Sequence, residues 1–413
     1  MSTLPTCRHC KTQLDLVFAD LGATPISNDY LTAKAVGGLE PFYPLKAFAC
    51  RKCRLVQLQD FFRSDDLFRA DYAYFSSISK TWLDHARRYA EDMRKRFALN
   101  EKSSVVEVAS NDGYLLQYFK EAGIPVLGVE PSRSMAEFAI REKNIPTEIT
   151  FFGRETALQL VAKGYAADLT AANNVFAHVP DVNDFVSGFR EILKPNGVAT
   201  FEFPHLLNLI KFNQFDTIYH EHFSYLSLLA AERIIKSGGL RVFDVEELNT
   251  HGGSLRIYAC REAAAHHEQT NVSRIRHQEA EAGLHEDEIY EGFSVRIQAT
   301  KYALLELLVG LKQQHKTIVG YGAPAKGNTL LNYCGIGPGF LDFTVDQSPA
   351  KQGLFLPGTR LPIKDPSAIA ELKPDYVLIL PWNIKDEIMH QMRHIREWGG
   401  KFIVPIPTPE IVS

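Results

Sequence analysis

The sequence has no long apolar run. Across 413 residues nothing approaches the roughly 18–20 residues a membrane span needs, and MSTLPTCRHC has no apolar stretch behind its start. A cytoplasmic protein with no membrane partner is therefore expected. Positive charge is not in excess either: Lys+Arg 45 against Asp+Glu 49 gives a net charge of −4, with no basic run. That balance excludes a chain whose main business is neutralising phosphodiester backbones, and points to a small partner with no nucleic acid. Cysteine is scarce. Six in a chain this long, expected inside the cell, do not make a disulfide scaffold, so their spacing has to be read for metal chemistry.

Four of them fall in two C-x2-C pairs, Cys7 and Cys10 in CRHC and Cys50 and Cys53 in CRKC. Two such knuckles supply four thiolates to one ion, the donor set of a closed, structural zinc site. His9 inside the first knuckle is expected to face solvent, and Cys260 and Cys334 are lone. Zinc would then staple a segment too short for a large core of its own. Downstream, DYAYFSSISKTWLDHARRYAEDMRKRF places Tyr72, Tyr74 and Ser77 before an amphipathic helix with Trp82, Ala86, Tyr89, Ala90, Met93 and Phe97 at helical spacing. The serines there can be a simple helix cap. A hydroxyl-rich loop at a helix start also suits a phosphate or a sugar, which makes Tyr72, Tyr74 and Ser77 candidate substrate contacts.

In SSVVEVASNDGYLLQYFKEAGIPVLGVEPS a β-branched strand containing Glu107 ends in Asn111, Asp112 and Gly113, and a second strand ends in Glu130. The order is that of a βαβ nucleotide-binding unit, with Glu130 placed to grip ribose hydroxyls. Acidic residues repel a pyrophosphate and attract a sulfonium, so S-adenosylmethionine fits better than NAD. Asn173, Asn174 and His178 follow a further strand and are expected in the same crevice, because open α/β sheets bind ligands at carboxyl strand ends. Then comes YHEHFSY, residues 219–225. His220 and His222 are two apart, without the helical i, i+4 spacing of a zinc protease or an obvious third ligand, so an acid–base role fits better than a metal.

The carboxyl-terminal third again alternates strand and helix. KTIVGYGAPAKGNTLLNY is strand, glycine-rich loop and helix, and Asp346 closes the next strand. Gly320, Gly322, Gly327 and Asp346 alone would also fit an NAD-dependent oxidoreductase, and the knuckles a zinc methyltransferase acting on RNA; both stand as alternatives.

Together the knuckles, YFSSISKTW, EVASNDG, GVEPS, ANNVFAHV, YHEHFSYLS, HGGSLRIY and GYGAPAKGNTLLNY resemble the zinc-containing, S-adenosylmethionine-dependent sugar C-methyltransferases along nearly the whole chain. The resemblance implies an α/β protein with a zinc-binding module (1–78), a Rossmann-like methyltransferase domain (79–247) and a second, cofactor-free Rossmann-like domain that helps hold a sugar nucleotide (248–413). It implies methylation at C3 of a nucleotide-linked 4-keto-6-deoxy sugar, dTDP-linked or GDP-linked, by a monomer or small homo-oligomer. By position, His222 would be the catalytic base, with Tyr219 and Glu221 as supporting groups. Glu107, Asn111, Asp112, Gly113, Glu130, Asn173 and Asn174 would line the cofactor site. Substrate contacts would be Tyr72, Tyr74, Ser77 and His178, with Lys326 and Asn328 near the diphosphate. An unperturbed imidazole, with a pKa of about 6.5, is suited to taking a proton alpha to a ketone near neutral pH.

Overall fold

Strand and helix alternate along the chain as the apolar pattern dictates. They are seen in a computed structural model that describes residues 4–59, 61, 75–78 and 80–413. Tyr72 and Tyr74 lie outside the described residues.

The amino-terminal strands β1 (Leu16–Thr24), β2 (Tyr43–Ala49) and β3 (Val56–Leu58) form an antiparallel sheet. Each cysteine pair closes the same tight turn. Lys11 N donates to Cys7 O and Arg54 N to Cys50 O, and Lys11 and Arg54 both take positive φ, 60° and 63°.

The central sheet contains β4 (Val105–Val108), β5 (Val126–Val129), β6 (Thr147–Glu148), β7 (Ala167–Asn173) and β8 (Leu193–Pro204), all parallel. Val105 and Val106 are fully buried, as strands covered on both faces require. The next strand, β9 (Ser224–Tyr225), leaves this sheet and pairs with β3 as the fourth strand of the amino-terminal one. The chain then returns as β10 (Leu240–Leu248) and β11 (Ser254–Arg261), with β11 antiparallel to both β10 and β8. The order is β10-β11-β8-β7-β4-β5-β6. Sequence reasoning divides the domains after residue 247. In the structure the central sheet runs on to Arg261, because the Gly-Gly turn folds the chain back onto β8 and does not lead it away.

The third sheet has the order β14 (Ile363–Lys364), β13 (Thr344–Val345), β12 (Ile318–Tyr321), β15 (Tyr376–Ile379), β16 (Lys401–Val404), β17 (Glu410–Val412), parallel except for β17. The helix Glu288–Gln313 links it to the rest, burying Phe293, Ile297, Leu304, Leu308 and Leu311 along one stripe. Phe293 stacks on Phe18 of β1 at 4.5 Å, so the amino-terminal sheet shares one core with the carboxyl-terminal domain. Cys7, Cys50 and Cys53 belong to a second core, shared with the central domain. The small module is thus a wedge between two larger ones.

A buried, hydrogen-bonded His–Glu pair fixes the exit from β9. Glu279 accepts the Leu228 and Leu229 amides at 2.6 and 2.8 Å, capping the helix Leu228–Ser237, and accepts His205 Nε2–H at 2.7 Å. Removing one partner of such a pair leaves buried donors with nothing to bond. Glu279→Ala is expected to cost about 3 kcal/mol of stability, read as a lowered urea midpoint; a loss within about 0.5 kcal/mol, the range of ordinary surface substitutions, would refute it.

Candidate active site

The four knuckle thiols converge. Cys7 Sγ and Cys53 Sγ are 3.5 Å apart, as are Cys10 Sγ and Cys50 Sγ, and all four lie within 4.8 Å of one another. Zn–S bonds of about 2.3 Å in a tetrahedron put sulfurs about 3.8 Å apart, whereas a disulfide needs about 2.05 Å. The donors fit zinc, with no position left open for a reactant. Gln57, buried in β3, donates from Nε2 to Cys7 Sγ at 3.2 Å and accepts Arg8 N at 2.8 Å. His9 departs from expectation. Its Nδ1 meets Asn183 Oδ1 at 2.7 Å, and Asn183 Nδ2 donates to His9 O, so it docks the knuckle on the central domain.

At the carboxyl ends of β4 and β5 the loop with Ala109, Asn111 and Gly113 turns through positive φ at all three. Glu130 accepts the Asn111 and Ser132 amides at 2.9 and 2.8 Å, which fixes its carboxylate at the end of β5. Glu107 is buried, and the Tyr114 hydroxyl sits beside it and Asn173. Burial, with Asp112 and Glu130 adding, pushes the Glu107 pKa well above the carboxylate range. Ser110 Oγ, Asp112 Oδ1 and both amide atoms of Asn174 are buried without a hydrogen-bond partner among the described residues. Asp112 and Glu107 face one ammonium, Lys143, 3.8 Å from Asp112, with Glu130 beside Asp112. Unpaired acceptors in a net negative crevice fit a cationic ligand carrying an amine and hydroxyls, as S-adenosylmethionine does.

Ser77 lies over this loop. Its amide donates to Asp112 Oδ2 at 3.1 Å, its hydroxyl donates to the same oxygen, and Ser76 N donates to Asn111 Oδ1 at 3.0 Å. Ser77 therefore ties the segment before the helix Lys80–Arg96 to the cofactor loop.

Residues 219–225 form a turn between the short helix Phe215–Thr217 and β9, and the turn gives each histidine a different task. His222 Nδ1–H donates to Thr217 O at 3.0 Å, which leaves Nε2 with its lone pair, and Tyr219 OH donates to that lone pair at 2.8 Å. His178 reaches the same place: its ring is 4.7 Å from that of His222, and its Nδ1–H donates to Glu221 O at 2.7 Å. Burial lowers His178 to about 4 and drives His222 well below its usual value, with His178 adding to the effect. Both rings are neutral at physiological pH. His220 has turned away, donating from Nε2 to Pro44 O at 3.2 Å in β2. Glu221 accepts Asn28 Nδ2 at 2.9 Å, and burial raises it to about 7. Its carboxyl thus points at the amino-terminal module, and its carbonyl is what orients an imidazole.

From the third domain, Lys326 lies 4.4 Å over the Trp382 ring and donates to Asn383 Oδ1. Burial lowers it to about 8. Trp382 Nε1 donates to Asp216 Oδ2 at 2.6 Å, so the lysine shelf is joined to the helix before the turn. Asn328 is buried, and its Nδ2 donates to Ser27 O at 2.6 Å; it holds the module interface and is not presented to an open crevice. Asp346, where NAD would need a ribose-binding acid, accepts Ala323 N at 2.7 Å from the glycine-rich loop and Ser348 N at 2.9 Å from its own loop.

Sequence reasoning missed Glu202. It ends β8 in register with Asn173, is fully buried, and takes His85 Nε2 at 3.0 Å, Arg256 Nη2 at 2.8 Å and Thr250 Oγ1 at 3.2 Å. Burial opposes its charge, but His85 and Arg256 hold it down at about 2. The signal was available: Glu202 sits at a carboxyl strand end, where ligands of such sheets bind.

Known proteins match along the same lines. Family models fit a zinc binding domain at residues 7–68, a methyltransferase domain at 82–245 and a C-methyltransferase C-terminal domain at 249–407. The C-methyltransferase NovU of Streptomyces niveus is 37% identical over 407 residues, 98% of this chain and 96% of that protein. This chain belongs to the C-methyltransferase family. The ubiquinone biosynthesis O-methyltransferase of Rhodopseudomonas palustris (strain HaA2) is 24% identical over 153 residues, 31% of this chain and 59% of that one. Among solved structures, magnesium protoporphyrin IX methyltransferase from Synechocystis PCC 6803 is 14% identical, covering 44% of this chain and 83% of that one at a TM-score of 0.35. YcgJ from Bacillus subtilis is 13% identical, covering 43% and 99% at 0.34.

The C-methyltransferase therefore uses S-adenosylmethionine and holds structural zinc. Zinc reaches the active turn through main chain: Val56 pairs with Tyr225, Gln57 with Ser224, and Leu58 N donates to Phe223 O at 3.0 Å. Chelation of the zinc is expected to speed amide exchange about tenfold or more at Leu58 and at Ser224–Tyr225, not at the knuckles alone. Unchanged protection at β9 would show that the turn stands without the metal.

Proposed function

We propose that this C-methyltransferase methylates C3 of a nucleotide-linked 4-keto-6-deoxy sugar through an enolate, with thymidine diphosphate as the nucleotide. One observation carries the reading: a neutral imidazole, His222, has its Nε2 lone pair turned to a hydroxyl in the crevice. Making a carbon nucleophile means taking a proton from carbon, and a hydrogen alpha to a ketone is the one such a base can remove.

His222 receives the C3 proton at Nε2, and the charge that results is stabilised by Thr217 O at Nδ1–H. Tyr219, displaced from Nε2 by the substrate, remains a donor on the base's side of the sugar. His178, oriented by Glu221 O, lines the same edge. S-adenosylmethionine, held by Glu107, Asn111, Asp112, Gly113, Glu130, Asn173 and Asn174, supplies an electrophilic methyl group to the carbon. Lys326 offers the diphosphate a point charge from the third domain.

His222→Asn is expected to lower methyl transfer and solvent deuterium uptake at C3 by about 10²-fold or more, while calorimetric binding of S-adenosylmethionine stays within twofold. Wild-type deuterium uptake in that variant would remove His222 as the base. GDP-linked substrate serves as the comparison arm, and faster turnover with it would overturn the thymidine assignment.

Lys326 supplies a pH test. Its ammonium, lowered to about 8, is present below that pH and lost as pH rises through it. KM for the sugar nucleotide is expected to climb above pH 8, and Lys326→Gln to raise KM and flatten that limb. A limb that persists in the variant would assign it elsewhere.

A further inference from the structure

The turn between β10 and β11 carries a third imidazole into the crevice. Residues 251–253 all have positive φ: His251 at 52°, Gly252 at 87° and Gly253 at 110°. Glycine takes such angles freely, whereas histidine in the left-handed region is held at a cost of order 1 kcal/mol.

The surrounding structure imposes that conformation. Gln214 Nε2 donates to Gly252 O at 2.8 Å, His205 N to Gly253 O at 3.0 Å, and Thr250 Oγ1 to Glu202 at 3.2 Å. A Cβ at Gly253 would stand 2.4 Å from Asn208 Nδ2, so the glycines are needed for the close approach. With two glycines already making the turn, a strained histidine beside them is explained by where it puts its ring.

That ring packs edge-on against Trp82 at 5.4 Å, and Trp82 stacks on Tyr114 at the cofactor side. Trp82 also stacks on His85, which bonds Glu202, and a Cβ on the next residue, Gly252, would stand 3.1 Å from Trp382, so the ring lies between the cofactor pocket and the lysine shelf. The residue is exposed, and its ring nitrogens have no hydrogen-bond partner among the described residues. An imidazole keeps at least one N–H to donate whether it is neutral or protonated.

Enolisation of a ketone needs two things in different directions. The proton leaves perpendicular to the carbonyl plane, while a donor to the oxygen lies near that plane. Tyr219 lies tilted at 33° against His222, with ring centroids 4.0 Å apart, and stands on the base's side. The Nδ1–H groups of His178 and His222 are spent on the carbonyls of Glu221 and Thr217. Lys326 is on Asn383. The β10–β11 turn presents a further donor, from an element that carries neither the base nor the lysine.

We propose that His251 is a catalytic residue that donates a ring N–H to the ketone oxygen of the substrate while His222 removes the alpha proton. The proton passes from C3 to His222 Nε2, the electron pair moves onto the ketone oxygen, and His251 keeps its own proton throughout. When the carbon is methylated the ketone re-forms. The assignment rests on the sugar reading above.

The test uses full-length, zinc-loaded protein with dTDP-4-keto-6-deoxyglucose as probe, following deuterium uptake at C3 in D2O by NMR and methyl transfer by mass spectrometry. His251→Gly keeps the turn, since glycine takes its φ without strain, and removes the donor. It is expected to lower both rates about 10²-fold, with KM and S-adenosylmethionine binding within twofold. His251→Gln, whose amide N–H is a donor, is expected to recover about tenfold over His251→Gly. Wild-type uptake in His251→Gly overturns the proposal, as does a loss confined to S-adenosylmethionine affinity. A wild-type enzyme that neither exchanges nor methylates the probe refutes the sugar reading itself and takes this assignment with it.

Discussion

Two residue pairs of main chain, Val56 with Tyr225 and Gln57 with Ser224, join the zinc sheet to the turn that carries His222. The placement of His222 depends on that short strand pairing. A two-residue strand has no stability of its own. It persists because β3 is itself locked, through Gln57 on Cys7 and through Arg8, which donates to Leu58 O and Pro180 O. Zinc stays out of the reaction, yet the ion sets the position of the residues that the proposed reaction uses. His220 belongs to the same bracing, since its bond to Pro44 O ties the turn to β2.

Burial then sets the charge states. His178 and His222 share one pocket and are neutral because the pocket excludes the water that imidazolium would need. Glu202 stays ionised in an equally buried place because Arg256 and His85 face it. The same low-dielectric surroundings give a lone-pair base on one side and a fixed anion on the other, and the difference lies in the partners each group finds.

Much of this was legible in residue order. The C-x2-C pairs gave the metal centre, since four soft donors at that spacing admit few other structures. β-Branched runs ending in Asn111–Gly113 and Glu130 marked the two neighbouring strand ends and the loop between them, because a parallel strand's carboxyl end is where its loop opens. Long-range partners were not legible. Asn328 was read as a phosphate contact from its place at a helix start, but it is spent on Ser27 O, about 300 residues away in sequence. Glu221 carries a carboxyl that sequence could assign to sugar or imidazole alike, and only packing turns it to Asn28. Glu202 escaped notice because an acidic residue inside an apolar strand looks isolated until Arg256 and His85 come to it.

By itself the sequence determined the zinc ligands, the alternation of strands and helices, and the chemistry available in YHEHFSY. Those are local properties: donor type, periodicity and the chemical nature of a side chain travel with the residue. The tertiary structure decided that β9 joins the zinc sheet, that the central sheet runs on to Arg261, and that His222 bonds Tyr219 while His220 bonds Pro44. Two histidines two residues apart have identical intrinsic chemistry. Which of them faces the crevice was settled by the turn before β9, where Thr217 O holds the His222 ring and Pro44 O of β2 draws the His220 ring away.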